Sequence, residues 1–457
     1  MSTVTQTPAT GSATGTPGLR ERLVRSDRRL SAITLLLRLP QVMAPLGVLT
    51  TVAYSTSSAW SAGLSSAALC LGMAVCAVGL ALFSNVRWLQ WALIGMALIQ
   101  GGVMWQLSRV NVSTVPVSWE AVSAFLPFFI AGLSLAPMGL AARLRWASVL
   151  AGQGRLQAFS TAMRRESVNE ALATVLGAAL TGLLAVLLGP STVLQVSAVL
   201  SVVMMVVFVA HRSARYPQAN VPVHLFWHDL TGLSSAGSTA QDSVVLQGSD
   251  MFDEPSARRA ASAPRITTAR LRLGLLYGIA ALNALLGAVQ GCLAVYTVSL
   301  DSVETMGAIY ALLGVGAAVG SILAVRFRHH ITASNLMVLA GTGALLTSML
   351  LSAPSGTFGY TGVLMLVGLF SGPSLLCLHS CAGQVGVTKG FMGLVAQMSV
   401  VSNVSTAVGL IICAHLGAHR DYMSAAMVPV AAAMLLLGTA LFFSHTRRRS
   451  TVRDPRI

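Results

Sequence analysis

The sequence predicts an all-α integral membrane protein whose twelve transmembrane helices form two pseudo-symmetric six-helix bundles, and three observations carry that reading. Of 457 residues, 54% are hydrophobic and 9% charged, whereas about a quarter of a soluble domain's residues are charged. The apolar residues fall in runs close to the ~20 residues that a helix needs to cross the hydrocarbon layer. Between those runs, the basic residues recur on alternate loops, as they do where positive loops stay in the cytoplasm.

Taken in order, the runs place spans at 33–55, 60–83, 88–107, 121–142, 168–188 and 191–210, then at 273–297, 305–325, 333–353, 358–380, 391–416 and 424–444. Residues 1–32 read as a disordered basic cytoplasmic tail, because the first nineteen are rich in Ser, Thr, Gly and Pro and Arg20, Arg22, Arg25, Arg28 and Arg29 follow. Arg87 follows span two, and Arg143, Arg145, Arg155, Arg164 and Arg165 follow span four. Arg326 and Arg328 follow span eight, Lys389 follows span ten, and residues 445–457 form a basic cytoplasmic tail. The intervening loops hold Arg109 and Arg420 beside Glu120, Asp301, Glu304 and Asp421. One span more or fewer would swap the sides halfway and spoil the alternation. Both termini are therefore expected in the cytoplasm of a multi-pass plasma-membrane protein, with the lipid bilayer as its first partner.

The formal net charge of +15 comes from 28 Arg and one Lys clustered between apolar runs. That placement orients helices in a membrane and does not build the continuous basic face that nucleic acid requires, so nucleic acid is excluded as a partner. All six cysteines, Cys70, Cys76, Cys292, Cys377, Cys381 and Cys413, lie inside apolar runs, where they act as small packing residues.

Residues 211–272 are polar and separate six spans from six, so they read as a cytoplasmic linker between an N-terminal bundle (33–210) and a C-terminal bundle (273–444). The halves echo one another. Gly79-Leu-Ala-Leu-Phe83-Ser-Asn-Val-Arg87 after span two and Gly320-Ser-Ile-Leu-Ala324-Val-Arg-Phe-Arg328 after span eight both place Arg eight residues after Gly. Ala151-Gly152-Gln153 after span four matches Ala382-Gly383-Gln384 after span ten.

On these passages the chain resembles the major facilitator superfamily, and among its members the divergent twelve-span permeases of actinobacteria that are often labelled efflux proteins. Further matching stretches are Arg38-Leu-Pro40-Gln41-Val-Met-Ala-Pro45-Leu-Gly47, Arg165-Glu166-Ser-Val-Asn169-Glu170, Gly287-Ala-Val-Gln-Gly291 and Gly316-Ala-Ala-Val-Gly320. The resemblance covers roughly residues 30–445 and implies two bundles that rock about a central site. The chain departs from the superfamily's loop motif, Gly-x-Leu-Ala-Asp-Arg-x-Gly-Arg, because Phe83 and Ala324 stand at the Asp position. The charge latch that this carboxylate supplies is thus absent or rebuilt. Gly189-Pro190 comes at the end of span five, outside the usual place of the antiporter pattern.

Charges at membrane depth are costly and persist where they face a pathway or a partner. Arg38 and Gln41 in span one, and Glu166, Asn169 and Glu170 at the start of span five, are the first candidates for a substrate or proton pathway. Glu166 and Glu170 share a helix face at i, i+4, where either could pair with Arg38 as a gate or titrate as a proton carrier. Both acids also suit the positive end of a helix without any transport role. Asn283 and Gln290 in span seven, and Gln397 and Asn403 in span eleven, could line a cavity or simply bridge helices. Gln100 and His379 complete the polar set. Gly287, Gly291, Gly316 and Gly320 are expected to let helices approach closely. His329-His330 are adjacent and diverge on a helix, so no metal site is expected. No phosphate-binding Gly-rich loop is present, and no cofactor is expected.

The function expected is secondary active transport of a small amphipathic molecule by alternating access, with proton-coupled efflux as one form. A transporter-derived membrane scaffold and a polytopic membrane enzyme remain as alternatives, since fold alone does not fix function.

Overall fold

The computed structural model describes residues 17–82, 89–109, 121–152, 159–211, 213, 243–244, 266–327, 331–353, 356–385 and 391–452. In the first half the helices are α1 (Pro17–Thr56), α2 (Ala59–Leu82), α3 (Leu89–Leu107), α4 (Ala121–Ser134), α5 (Met138–Gly152), α6 (Phe159–Leu188) and α7 (Pro190–Ala210). The second half has α8 (Thr268–Ser299), α9 (Met306–Arg326), α10 (Ala333–Leu350), α11 (Gly356–Val385), α12 (Phe391–His419) and α13 (Tyr422–Val452). A two-residue antiparallel ladder, Ser243–Val244 with Ile266–Thr267, lies within the expected linker, most of which is outside the described residues.

Two expectations need correction. Helix begins at Pro17, inside the tail expected to be disordered, where proline's missing N–H is no loss at a first helical position. Residues 1–16 are outside the described ones. At the other end, α13 carries the expected tail in helical form as far as Val452. Span four, expected as one helix over 121–142, is two. Pro137 cannot donate and biases Ala136 away from helix, so α4 stops at Ser134 and α5 restarts at Met138. The break is satisfied internally: the Leu135 N–H donates to the carbonyls of Ala131 and Gly132, and the Pro137 carbonyl accepts from Leu140 and Ala141. Because α5 then runs on to Gly152, Arg143 and Arg145 are helical and buried rather than loop residues.

Eleven stretches of the described residues are long and apolar enough to cross a membrane. The twelfth expected span, α3, is a helix of 19 residues diluted by Gln90, Gln100 and Gln106. Large apolar side chains stand exposed along the outer flanks, among them Leu183, Val186, Leu187, Val203, Val206 and Leu435. Lipid solvates such faces. Between spans, local chemistry fixes the turns. Gly189 alone joins α6 to α7 at φ 92°, a conformation that side chains with a Cβ rarely adopt. Ahead of α13, Asp421 accepts the Ser424 N–H at 2.8 Å. The Ser424 hydroxyl and N–H hold that carboxyl below the usual carboxylate range.

The halves are built alike. α1 packs on α6 and α7 as α8 packs on α12 and α13; α2 packs on α4 as α9 on α11; α3 packs on α7 as α10 on α13. Between bundles, α2 packs on α12 and α6 on α9, two contacts that a pseudo-twofold axis interchanges. Glycines make the closest crossings. A Cβ added at Gly316, Gly320, Gly368 or Gly372 would strike the backbone oxygen of Met365, Leu369, Leu313 or Ala317, so α9 and α11 meet backbone to backbone. Gly287 likewise lies against the Thr406 carbonyl, and Gly291 lies against Cys413.

Gly368→Val should therefore lower the unfolding free energy of the detergent-solubilised protein by about 1–3 kcal/mol, the usual cost of overpacking. Gly362, on the same helix with nothing within 4 Å of an added Cβ, provides the matched control. Equal melting temperatures for Gly368→Val and Gly362→Val would contradict the crossing.

Candidate functional site

α1, α5 and α6 bring four charged side chains together at membrane depth. Glu166 and Glu170, one turn apart on α6, both face Arg38 of α1. Arg38 Nη2 lies 2.7 Å from Glu166 Oε2, and Nη1 lies 3.1 Å from Glu170 Oε2. Arg143 of α5 donates to the same Glu170 oxygen at 2.7 Å. Glu166, fully buried, uses its other oxygen to accept from Trp146 Nε1 at 2.7 Å and from the Thr34 hydroxyl at 2.9 Å. Asn169 fixes Thr34 in turn, donating to its oxygen at 3.2 Å and to Ser31 at 3.0 Å. Two guanidinia thus balance two carboxylates. Arg38 Nε is buried without a hydrogen-bond partner among the described residues. A cluster of this kind survives at low dielectric because no charge is left over.

Glu170 differs from Glu166. It keeps 35% of its side chain accessible, because it faces a partly open cavity of about 210 Å³ lined by both bundles. That volume is below the ~300–1,000 Å³ of ordinary ligand pockets. The first bundle contributes Arg38, Gln41, Arg143, Glu170 and Thr174 to the wall, with Val42, Pro45, Met73 and Leu140. The second contributes Asn283, Gln290, Tyr310, Ser399, Ser402, Asn403 and Thr406, with Ile279, Leu282, Leu286 and Met398. His379 of α11 reaches across, its Nε2 3.6 Å from Glu170 Oε2 while its Nδ1 faces the Leu375 carbonyl at 3.0 Å. This contact joins the bundles and becomes an ion pair only when the imidazole is protonated, because in the neutral ring the hydrogen sits on Nδ1 toward the Leu375 carbonyl and Nε2 has none to give.

Of the residues singled out in the sequence, Arg38, Gln41, Glu170, Asn283, Gln290, His379 and Asn403 lie in the cavity wall. Four do not. Glu166 and Asn169 are buried behind it in the network just described. Gln397 is buried where it accepts from Arg272 Nε at 3.2 Å, between α8 and α12 of one bundle. Gln100 is fully buried on α3, away from the cavity. Sequence reasoning missed Arg143 and Trp146, because the basic residues around span four were counted as loop charges. The signal was there: Gly139, Arg143 and Trp146 recur at i, i+4 and i+7, one face of a helix. Arg145 also turned out to be buried, stacked 4.3 Å over Phe208 and donating to the Ser213 hydroxyl at 3.2 Å. His329 and His330 are outside the described residues.

Two six-helix bundles related by a pseudo-twofold axis around a central cavity are the fold of the major facilitator transporters. Two transporters are among the solved structures that share it. The human organic anion transporter MFSD10 (TETRAN) superposes with a TM-score of 0.56 at 14% identity, covering 91% of this chain and 99% of that one. The nucleoside transporter NupG gives a TM-score of 0.56 at 14% identity, covering 92% of this chain and 98% of that one. No family model matches the sequence, and no curated protein matches it.

Breaking a buried ion pair by removing one partner costs about 3–5 kcal/mol. Arg38→Gln and Glu166→Gln should each destabilise the solubilised protein on that scale. The double variant should lose at least 1 kcal/mol less than the sum of the two. Additive losses in chemical unfolding would show that the two side chains do not share one interaction.

Proposed function

We propose that the protein is a secondary active transporter that moves a small molecule across the plasma membrane by alternating access, with Glu170 carrying a coupling proton. The observation that supports this most is the position of Glu170. A single carboxylate oxygen meets Arg38, Arg143 and, across the bundle boundary, His379, while the same side chain faces the cavity. Protonating that carboxylate would loosen its hold on both guanidinia and on the opposite bundle, so proton binding and bundle opening are linked through one group. The fold shared with an organic anion transporter and a nucleoside transporter supports transport as the class of activity. The resemblance to efflux permeases favours export, and the arginine-rich edges favour cytoplasmic termini.

An enzyme reading would need the acid pair free to do chemistry. Here Glu166 is enclosed by Arg38, Trp146 and Thr34, and Glu170 is held by two guanidinia, which suits a structural and gating role better. A scaffold without transport would have no use for an accessible carboxylate at the bundle boundary.

In proteoliposomes, Glu170→Gln should abolish acceleration of transport by a pH gradient while gradient-independent exchange persists. Undiminished pH-gradient acceleration in that variant would remove Glu170 from coupling. For orientation, reporter fusions in the segment between α7 and α8 and after α13 should both report cytoplasm. An exterior signal from either would refute the assigned topology.

A further inference from the structure

The cavity walls differ in chemistry, and the difference bears on what can be bound. On the first bundle's side the charges are already balanced: Arg38 and Arg143 are both engaged by carboxylates. An anionic cargo would have to detach a guanidinium from its glutamate, and a cationic one would have to outbid two guanidinia for Glu170. Either leaves an uncompensated charge at low dielectric. Among the described residues the second bundle's wall carries one titratable group opposite them, His379, and otherwise offers amides and hydroxyls. Gln290 Nε2 is held by the Tyr310 hydroxyl at 2.9 Å, but Gln290 Oε1 is buried with no partner among the described residues. Asn403, half-buried, donates to the Ser399 carbonyl at 2.8 Å and has no further hydrogen bond among the described residues. Across the cavity Gln41 adds a third amide. Apolar side chains from both bundles fill the rest of the wall. The buried Gln290 oxygen without a partner carries a desolvation cost that a hydrogen-bonding guest relieves.

We propose, building on the transporter reading above, that the cargo site between Gln41, Gln290 and Asn403 binds small, uncharged, amphipathic molecules bearing an amide or hydroxyl group, and discriminates against organic anions and cations of the same size. The polar end of the guest takes the place of the missing partners of Gln290 and Asn403, and its apolar body lies against Met73, Leu286 and Met398. While Glu170 is ionised, charge is rejected because the ion cluster has none to spare.

Three probes of one shape isolate charge: benzamide, benzoate and benzylammonium, titrated against the purified full-length protein by calorimetry and tested for exchange in proteoliposomes. Benzamide should bind with the highest affinity, and Gln290→Leu should weaken it by about tenfold or more while leaving the unliganded melting temperature within the range set by Tyr310→Phe. Tighter binding of benzoate or benzylammonium would overturn the assignment, and so would the absence of saturable benzamide binding or an unchanged affinity in Gln290→Leu. The transporter reading fails separately: benzamide that binds but is never exchanged leaves the site assignment standing and removes transport. Exchange of a charged probe alone removes the site assignment and leaves transport.

Discussion

The structure turns on a neutral cluster of four charges held where water is scarce. Arg38, Arg143, Glu166 and Glu170 can sit together only if three separate helices deliver them to one point. α1 must bring Arg38 past its own prolines, α6 must present two acids on one face, and α5 must be aimed independently of α4. The break at Leu135–Pro137 provides that last freedom. An unbroken span four would carry residues 143 and 146 along the axis set by α4, whereas the restart after Pro137 lets α5 take its own direction toward α6. Irregular backbone at this depth is tolerated because its N–H and C=O groups are met locally and it is buried in protein. The cost of the broken helix is offset by what it places: without Arg143 the cluster would carry a net negative charge.

The pseudo-twofold axis relates the backbones of the bundles but not their chemistry. Ionic groups collect in the first bundle and neutral polar groups in the second, with His379 as the bridge. The faces of the assembly also differ. Away from the termini, Gly182 meets Gly307 and Ala308, and Gly63 meets Ala414, so the bundles touch through backbone and methyl groups. Trp60 lies edge-on to His415 there, with ring centroids 5.2 Å apart. Toward the terminal face the α12 residues Val395 and Ala396 join the cluster around Trp146 and Leu140 through side chains. Side-chain contacts can be remade by rotamer changes, whereas a backbone crossing separates only as a unit. The two ends of the cavity therefore resist opening by different means.

Much of the fold was legible because hydrocarbon imposes a length and a composition on each span, and both are properties of contiguous sequence. Register within a span was less so. Arg143 and Arg145 looked like loop charges because the positive-inside pattern counts basic residues without asking which face of a helix they occupy. Their burial depends on Glu170, Phe208 and Ser213, which are brought near only by folding. Arg38 with Glu166 and Glu170 was legible for the opposite reason: two acids one turn apart and an arginine at similar depth leave few other partners. The separation of Gln397 and Asn169 from the cavity could not be read, since an amide facing a neighbouring helix and one facing a cavity have the same sequence signature.

The replaced loop carboxylates acquire a physical meaning in this arrangement. Ala324, at one of those positions, is packed in an apolar cluster with Leu336, Leu376 and Cys377, so no charge latch operates there; Phe83, at the other, is outside the described residues. The contact between bundles that can become ionic is found deeper, between Glu170 and a protonated His379, on the wall of the cavity itself. A latch at a loop closes the transporter independently of what occupies the cavity. A latch made from the cavity's own carboxylate does not, because a proton or a guest that engages Glu170 competes with His379 for the same oxygens. In the proposed cycle, occupancy and closure are then linked by mutual exclusion at one side chain, and no signal has to travel from the cavity to a distant loop.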